Sequence, residues 1–157
     1  MPQPKGKPRK SDTGRNVEAP TEVVARTGFT WDDIKHFVPK DFTCTCEGLC
    51  DHPSVISLEV VAKLDRISGL IGRPITVLSG TRCERHNARI RGTRRSSHVP
   101  TNGIGYAADI SCSDAGFRFA FLAAALPVFR RIGIGKDHIH VDDHPDLPGQ
   151  VVWLSAF

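Results

Sequence analysis

The segment His138-Ile139-His140-Val141-Asp142 alternates polar and branched apolar residues over its whole length. Successive side chains on a strand point to opposite faces. The pattern therefore sets His138, His140 and Asp142 on one face and sends Ile139 and Val141 into a core. Two imidazoles side by side on rigid backbone suit a divalent metal ion, although a strand with a histidine-rich solvent face reads the same way. A second segment favours the metal. Ser96-Ser97-His98 leads through a glycine-containing loop to Gly105-Tyr106-Ala107-Ala108-Asp109-Ile110. Asp109 interrupts an apolar strand, where a carboxylate is costly unless it is paired or holds a metal. The small residues Gly105, Ala107 and Ala108 are expected to leave room around it for a ligand and substrate. The alternative is a surface-facing Asp109 paired with an arginine.

Six arginines, Arg82, Arg85, Arg89, Arg91, Arg94 and Arg95, crowd the stretch before His98, opposed there only by Glu84. Guanidinium forks bind carboxylates in bidentate fashion, so the cluster suits an anionic partner, with a solvated helix face as the plain alternative. No aromatic residue is interleaved to stack bases, which argues against nucleic acid. The five cysteines, Cys44, Cys46, Cys50, Cys83 and Cys112, are odd in number, so a fully paired disulfide framework is not expected. The run Cys44-Thr45-Cys46-Glu47-Gly48-Leu49-Cys50-Asp51-His52 lacks the paired C-x-x-C spacing of zinc modules. Buried thiols or a single bridge are expected there, and a structural metal is the alternative.

These side chains need a scaffold, and 157 residues, 39% of them hydrophobic, suffice for one domain with a buried core. The apolar runs fall short of the roughly 18 residues that span a bilayer. The first ten residues lack the apolar centre of a secretory leader, so synthesis in the cytoplasm without a signal peptide is expected. Residues 1–16 hold five Lys or Arg and one Asp, whereas the remainder balances 16 basic against 16 acidic side chains. A disordered basic tail over 1–16 and a single domain over 17–157 follow.

Within that domain, Thr30-Trp31-Asp32-Asp33 has the form of a capping box opening a short helix that ends near Phe37. Pro53 and the apolar spacing of Ile56, Val60, Leu64, Ile67 and Leu70 predict a helix ending at Gly72. Ile75–Leu78 and Tyr106–Cys112 read as strands, Cys83–Ile90 as a short helix, and residues 91–104 as a polar loop. Ser113 can cap a helix over Asp114–Leu126, which Pro127 helps to end. Ile132–Ile134 and His138–Asp142 form a hairpin around Gly135-Lys136-Asp137, and Val151–Leu154 adds a strand. Helices packed on a small, mainly antiparallel sheet make the expected fold class α+β.

Taken together, Ser96-x-His98, Gly105-x-Ala107-x-Asp109 and His138-x-His140 resemble the signature of the zinc D,D-carboxypeptidases and endopeptidases of the peptidase M15 group. That group shares a metal-binding fold with the hedgehog signalling domain. Ser79-Gly80-Thr81-Arg82 and Phe42-x-Cys44-x-Cys46 look like elements of one phage- and bacterium-associated branch. The resemblance, which covers most of residues 29 to 143, implies that His98, Asp109 and His140 bind Zn²⁺ and leave a fourth position open, as in catalytic zinc sites. It implies Asp137 as general base, Arg82 beside the scissile carbonyl, His138 next to the metal as a donor to substrate, and Ser96 as a substrate contact.

One departure concerns spacing. His98 and Asp109 are 11 positions apart, longer than the family's usual interval, as if Val99-Pro100-Thr101-Asn102 had been inserted. The extra residues either bulge out as a loop or displace the ligand set, in which case Asp142 or His144 would serve beside the histidines. The implied activity is hydrolysis of peptidoglycan stem peptides at the bacterial cell wall or periplasm, as by a phage or prophage endolysin or a virion-associated enzyme. A non-catalytic zinc module that binds wall or protein is the alternative.

Overall fold

The computed structural model of the protein describes residues 30–48, 50 and 55–155. The tail expected over 1–16 and Pro53 lie outside the described residues.

Two 3-10 turns, Trp31–Asp33 and Pro39–Phe42, come first. The Asp33 carboxylate accepts from the Thr30 N–H at 2.8 Å, as the capping pattern predicts, but the turn does not extend to Phe37. The N–H groups of Lys35 and His36 donate instead to Asp65 Oδ1, at 2.9 and 2.7 Å, so the chain leaves the helix for an external acceptor.

Strand β1 (Val55–Ile56) pairs in parallel with β3 (Ile104–Gly105), and the Ser57 N–H donates to the Gly105 carbonyl at 2.8 Å. Helix α1 (Leu58–Ile71) therefore starts after Ser57 rather than at Pro53, and Ile56 is a strand residue. Its buried face is Val60, Val61, Leu64 and Ile67, while Leu70 is exposed, off the stripe expected for it. The helix ends at Gly72 in the left-handed region. Strand β2 (Val77–Ser79) and helix α2 (Glu84–Arg89) follow. Helix α3 (Ala115–Ala125) is capped by Asp114, not Ser113, because the Asp114 side chain accepts from the Phe117 N–H.

Strands β4 (Ala107–Ser111), β5 (Arg131–Ile134), β6 (His138–Asp142) and β7 (Val151–Leu154) complete a five-stranded sheet of order β2-β4-β6-β5-β7. All neighbours are antiparallel except β5 and β7, which run parallel, so the sheet is mixed. The α+β class holds. Ala108 and Ile110 of β4, Ile132 of β5, and Ile139 and Val141 of β6 share one core with α1 and with Phe117, Phe121 and Ala125 of α3. The helices thus consume one face of the sheet, and the other face carries the polar residues of the same strands.

The loop between His98 and Asp109 closes on itself. Thr101 and Ile104 exchange backbone hydrogen bonds at 2.9 and 3.1 Å across Asn102 and Gly103, both at positive φ. The additional residues bulge outward. Gly105 and the alanines do not make ligand space as expected: a Cβ on Gly105 would strike the Thr81 methyl, and Ala107 and Ala108 are fully packed. No helix among the described residues is long and apolar enough to cross a membrane.

Candidate functional site

Strand register assembles the site. Asp109 is the Cα partner of both Ser79 and His140, His140 of Gly133, and Gly133 of Trp153, so one row crosses all five strands on the face away from the helices. His98 reaches this row from the loop after α2, anchored where the Arg82 N–H donates to the His98 carbonyl at 2.8 Å.

Three donor atoms meet there. Nδ1 of His140 lies 2.9 Å from Oδ1 of Asp109, Nε2 of His98 lies 3.2 Å from the same oxygen, and the two nitrogens are 3.1 Å apart. A tetrahedral zinc ion with ligands at about 2.0–2.1 Å holds its donors about 3.3 Å from one another. The near-equilateral triangle fits such an ion with a small expansion. Both rings are also oriented for it. Nδ1 of His98 is 2.6 Å from the Gly80 carbonyl, to which it must donate, so Nε2 offers its lone pair to the centre. Nε2 of His140 is held 2.8 Å from Oδ2 of Asp142, which frees Nδ1 for the centre.

Asp142 therefore lies behind the His140 ring, on its Nε2, and not where the three donor atoms meet. Fully buried, it receives Arg131 Nε at 3.1 Å and the His144 N–H at 3.1 Å. His144 is turned away from that point: its Nε2 contacts Thr101 Oγ1 at 3.1 Å and its Nδ1 accepts from the Asp146 N–H at 3.2 Å.

The electrostatics agree with an anionic Asp109. Burial alone would raise its pKa, but the neighbouring imidazoles, His140 first and then His98, outweigh it and hold the carboxyl well below the usual range. Burial pushes His98 down, towards the neutral form that binds metal. For His140 burial acts the same way, yet the carboxylates of Asp109 and Asp142 overcome it and raise the group. Asp142, for which burial works against ionisation, is held low chiefly by His140.

A cavity of about 570 Å³ opens beside the triad, lined among others by Arg82, Arg95, Arg131, Ser96, His138 and Trp153. Arg82 places Nη2 3.8 Å from the outer oxygen of Asp109, and its buried Nε has no partner among the described residues. It does not pair with Glu84 in the contacts seen here. Arg131 stacks over Trp153 at 5.1 Å and Trp153 lies 5.5 Å from the His140 ring. That approach needs Gly133, since a Cβ there would come within 2.8 Å of the indole.

Of the other predicted residues, His138 faces the cavity, its ring seated against Gly135. Ser96 lines the cavity and its Oγ accepts from the His98 N–H at 3.3 Å. Asp137 sits on the exposed β5–β6 turn, outside the residues that line the cavity, and its carbonyl accepts from the Cys112 N–H. Arg118 of α3 pins this turn through the carbonyls of Gly135 and Lys136. Sequence reasoning missed Ser97, 3.4 Å from Nε2 of His140, and the Arg131–Trp153 wall. Ser97 stood in the Ser-x-His run; the wall had no local signal, since it depends on β7 pairing with β5.

No curated protein sequence matches this chain. A family model described as peptidase M15 matches residues 35–142, more than two thirds of the chain, and spans the whole triad together with Arg82, Asp137 and His138. The converging His-His-Asp set could hold a metal ion, and by this match the chain belongs to the peptidase M15 family, whose members are zinc-dependent peptidases.

Proposed function

We propose that this protein is a zinc-dependent hydrolase of peptidoglycan stem peptides, of the D,D-carboxypeptidase or endopeptidase type, and that it serves as a phage or prophage endolysin. The observation that carries the reading is the convergence of His98, Asp109 and His140 within 3.2 Å of one another beside a cavity walled by arginines. When bound, zinc supplies a Lewis acid for the scissile carbonyl and lowers the pKa of the attacking water.

The chain's own groups do the rest. Arg82, with an unpaired buried Nε, stabilises negative charge developing on the carbonyl oxygen. Arg95 lines the same cavity and suits a carboxylate of the stem peptide. Asp137 takes the proton of the attacking water and returns it to the leaving amine. His138 donates to the substrate, and Ser96 binds one of its polar groups. Residues 17–157 act as one catalytic domain, working at the cell wall or periplasm.

The exposed position of Asp137 favours a second reading, a zinc-containing module that binds wall or protein without cutting it. Digestion of purified peptidoglycan with and without a chelator, followed by mass spectrometry of the fragments, separates the two. New amino or carboxyl ends that vanish with chelator are expected. Wall binding without new ends would establish the binding module instead.

A further inference from the structure

A second group of metal-ligating side chains lies outside the site described above. The Sγ atoms of Cys44, Cys46, Cys50 and Cys83 all lie within 4.8 Å of one another. Three come from the loop after the second 3-10 turn, and the fourth is the residue that caps α2. Four sulfurs on a tetrahedral zinc ion, each at about 2.3 Å, stand about 3.8 Å apart. The cluster, with no pair of sulfurs further apart than 4.8 Å and Cys46 and Cys50 3.2 Å apart, brackets that separation. We propose that Cys44, Cys46, Cys50 and Cys83 hold a second, structural zinc ion, distinct from the ion at His98, Asp109 and His140.

The surroundings are those of a thiolate site. The Cys83 N–H donates to Cys44 Sγ at 3.3 Å, the His86 N–H donates to Cys83 Sγ at 3.3 Å, and Nδ1 of His86 lies 3.4 Å from Cys44 Sγ. Backbone and imidazole donors aimed at sulfur are the outer contacts that orient metal ligands. All five cysteines are free thiols, and Cys46 and Cys50 stand 3.2 Å apart, beyond the roughly 2.05 Å of a disulfide. Binding exchanges thiol protons for the ion and involves no redox change. Four protein donors close the coordination shell, so this ion holds structure and does no chemistry.

Its position tells what it holds. Gly80, Thr81, Arg82 and Cys83 are consecutive: the Gly80 carbonyl orients His98, Arg82 faces Asp109, and Cys83 enters the thiol cluster. Thr81 between them bonds the Phe42 carbonyl through both its N–H and its hydroxyl, at 2.9 Å each. Tying Cys83 to the loop of Cys44 and Cys46 therefore fixes the corner from which Arg82 and the Gly80 carbonyl reach the catalytic centre. From the spacing of Cys44, Cys46 and Cys50 alone, a structural metal was the weaker expectation. Cys83, distant in sequence, supplies the missing fourth ligand.

The test is elemental analysis and cobalt substitution of the full chain purified under reducing conditions. Two zinc ions per chain are expected in the wild type, one in His98→Ala/His140→Ala, and one in Cys46→Ser/Cys83→Ser if that variant folds. Cobalt loaded into His98→Ala/His140→Ala is expected to give an intense thiolate-to-cobalt charge-transfer band in the near ultraviolet. This readout needs neither activity nor a folded cysteine variant, so it stands apart from the hydrolase reading. Metal-free thiols in that double-histidine variant, a cobalt spectrum without thiolate character, or disulfides among these four cysteines in the freshly isolated chain would each overturn the proposal.

Discussion

Oδ2 of Asp142 lies 2.8 Å from Nε2 of His140 and thereby turns the other ring nitrogen toward Asp109 and His98. Residues two apart on one strand share a face, so the carboxylate and the imidazole it orients are carried by the same short strand. The Arg131 guanidinium and the His144 N–H then keep that carboxylate ionised and still.

Asp142→Asn is accordingly expected to weaken zinc binding by about 10–100-fold while His98, Asp109 and His140 remain in place. Competition with a fluorescent chelator measures the affinity. An unchanged dissociation constant would show that Asp142 serves packing alone.

Proton transfer divides Asp137 from His138. Asp137→Asn is expected to lower peptide hydrolysis by about 10²–10⁴-fold with zinc content unchanged. If His138→Gln instead produces the larger loss, with Asp137→Asn near wild type, the histidine that faces the cavity carries the proton. Zinc content by elemental analysis accompanies both rate measurements.

Gly133 allows the indole of Trp153 to sit over the sheet beside His140. In Gly133→Ala the new Cβ meets ring carbons at 2.8 Å and Ser155 Oγ at 2.9 Å, against side chains held by β7. Overpacking of this kind costs about 1–3 kcal/mol. Urea unfolding should show a lower midpoint with an unchanged slope; a wild-type midpoint would mean that β7 shifts freely.

The core should respond more strongly. Phe121 is fully buried and stacks with Phe117 at 5.9 Å, so Phe121→Ala should destabilise the fold by about 3–5 kcal/mol. A loss below 1 kcal/mol in the same unfolding assay would contradict the packing of α3 described here.

Acid stability carries a signature of the α3 cap. The Phe117 N–H, then Arg73, holds the Asp114 carboxyl below its ordinary 3.8. A depressed folded-state pKa stabilises above the unfolded value and loses that contribution as pH falls through the folded one. Asp114→Ala should therefore melt below wild type at neutral pH, with the gap closing as pH drops under 3.8. A gap independent of pH would argue that the cap does not depend on charge.

Where local pattern dominated, the chain was legible. Strand β6 runs over His138–Asp142 as its alternation demands, because period-two patterning is a property of the segment itself, and β7 runs over Val151–Leu154, a short run of branched and aromatic residues that favour strands. Boundaries decided by distant groups were not. Asp65 ends the first turn early by accepting from Lys35 and His36, and the pairing of β1 with β3 takes Ile56 out of α1. The parallel pairing of β7 with β5 had no trace in either strand's composition.

The amino-acid sequence by itself determined the kinds of donor in the site, the α+β class and the family resemblance, since residue chemistry and periodicity are local. Only the tertiary structure decided the rest: that the long loop after His98 bulges while His98 and Asp109 still meet, that Asp142 stands behind the His140 ring rather than beside Asp109 and His98, and that Cys83 joins three cysteines from another loop. Those outcomes depend on sheet register and loop closure, which bring together groups whose separation along the chain carries no record of their distance in space.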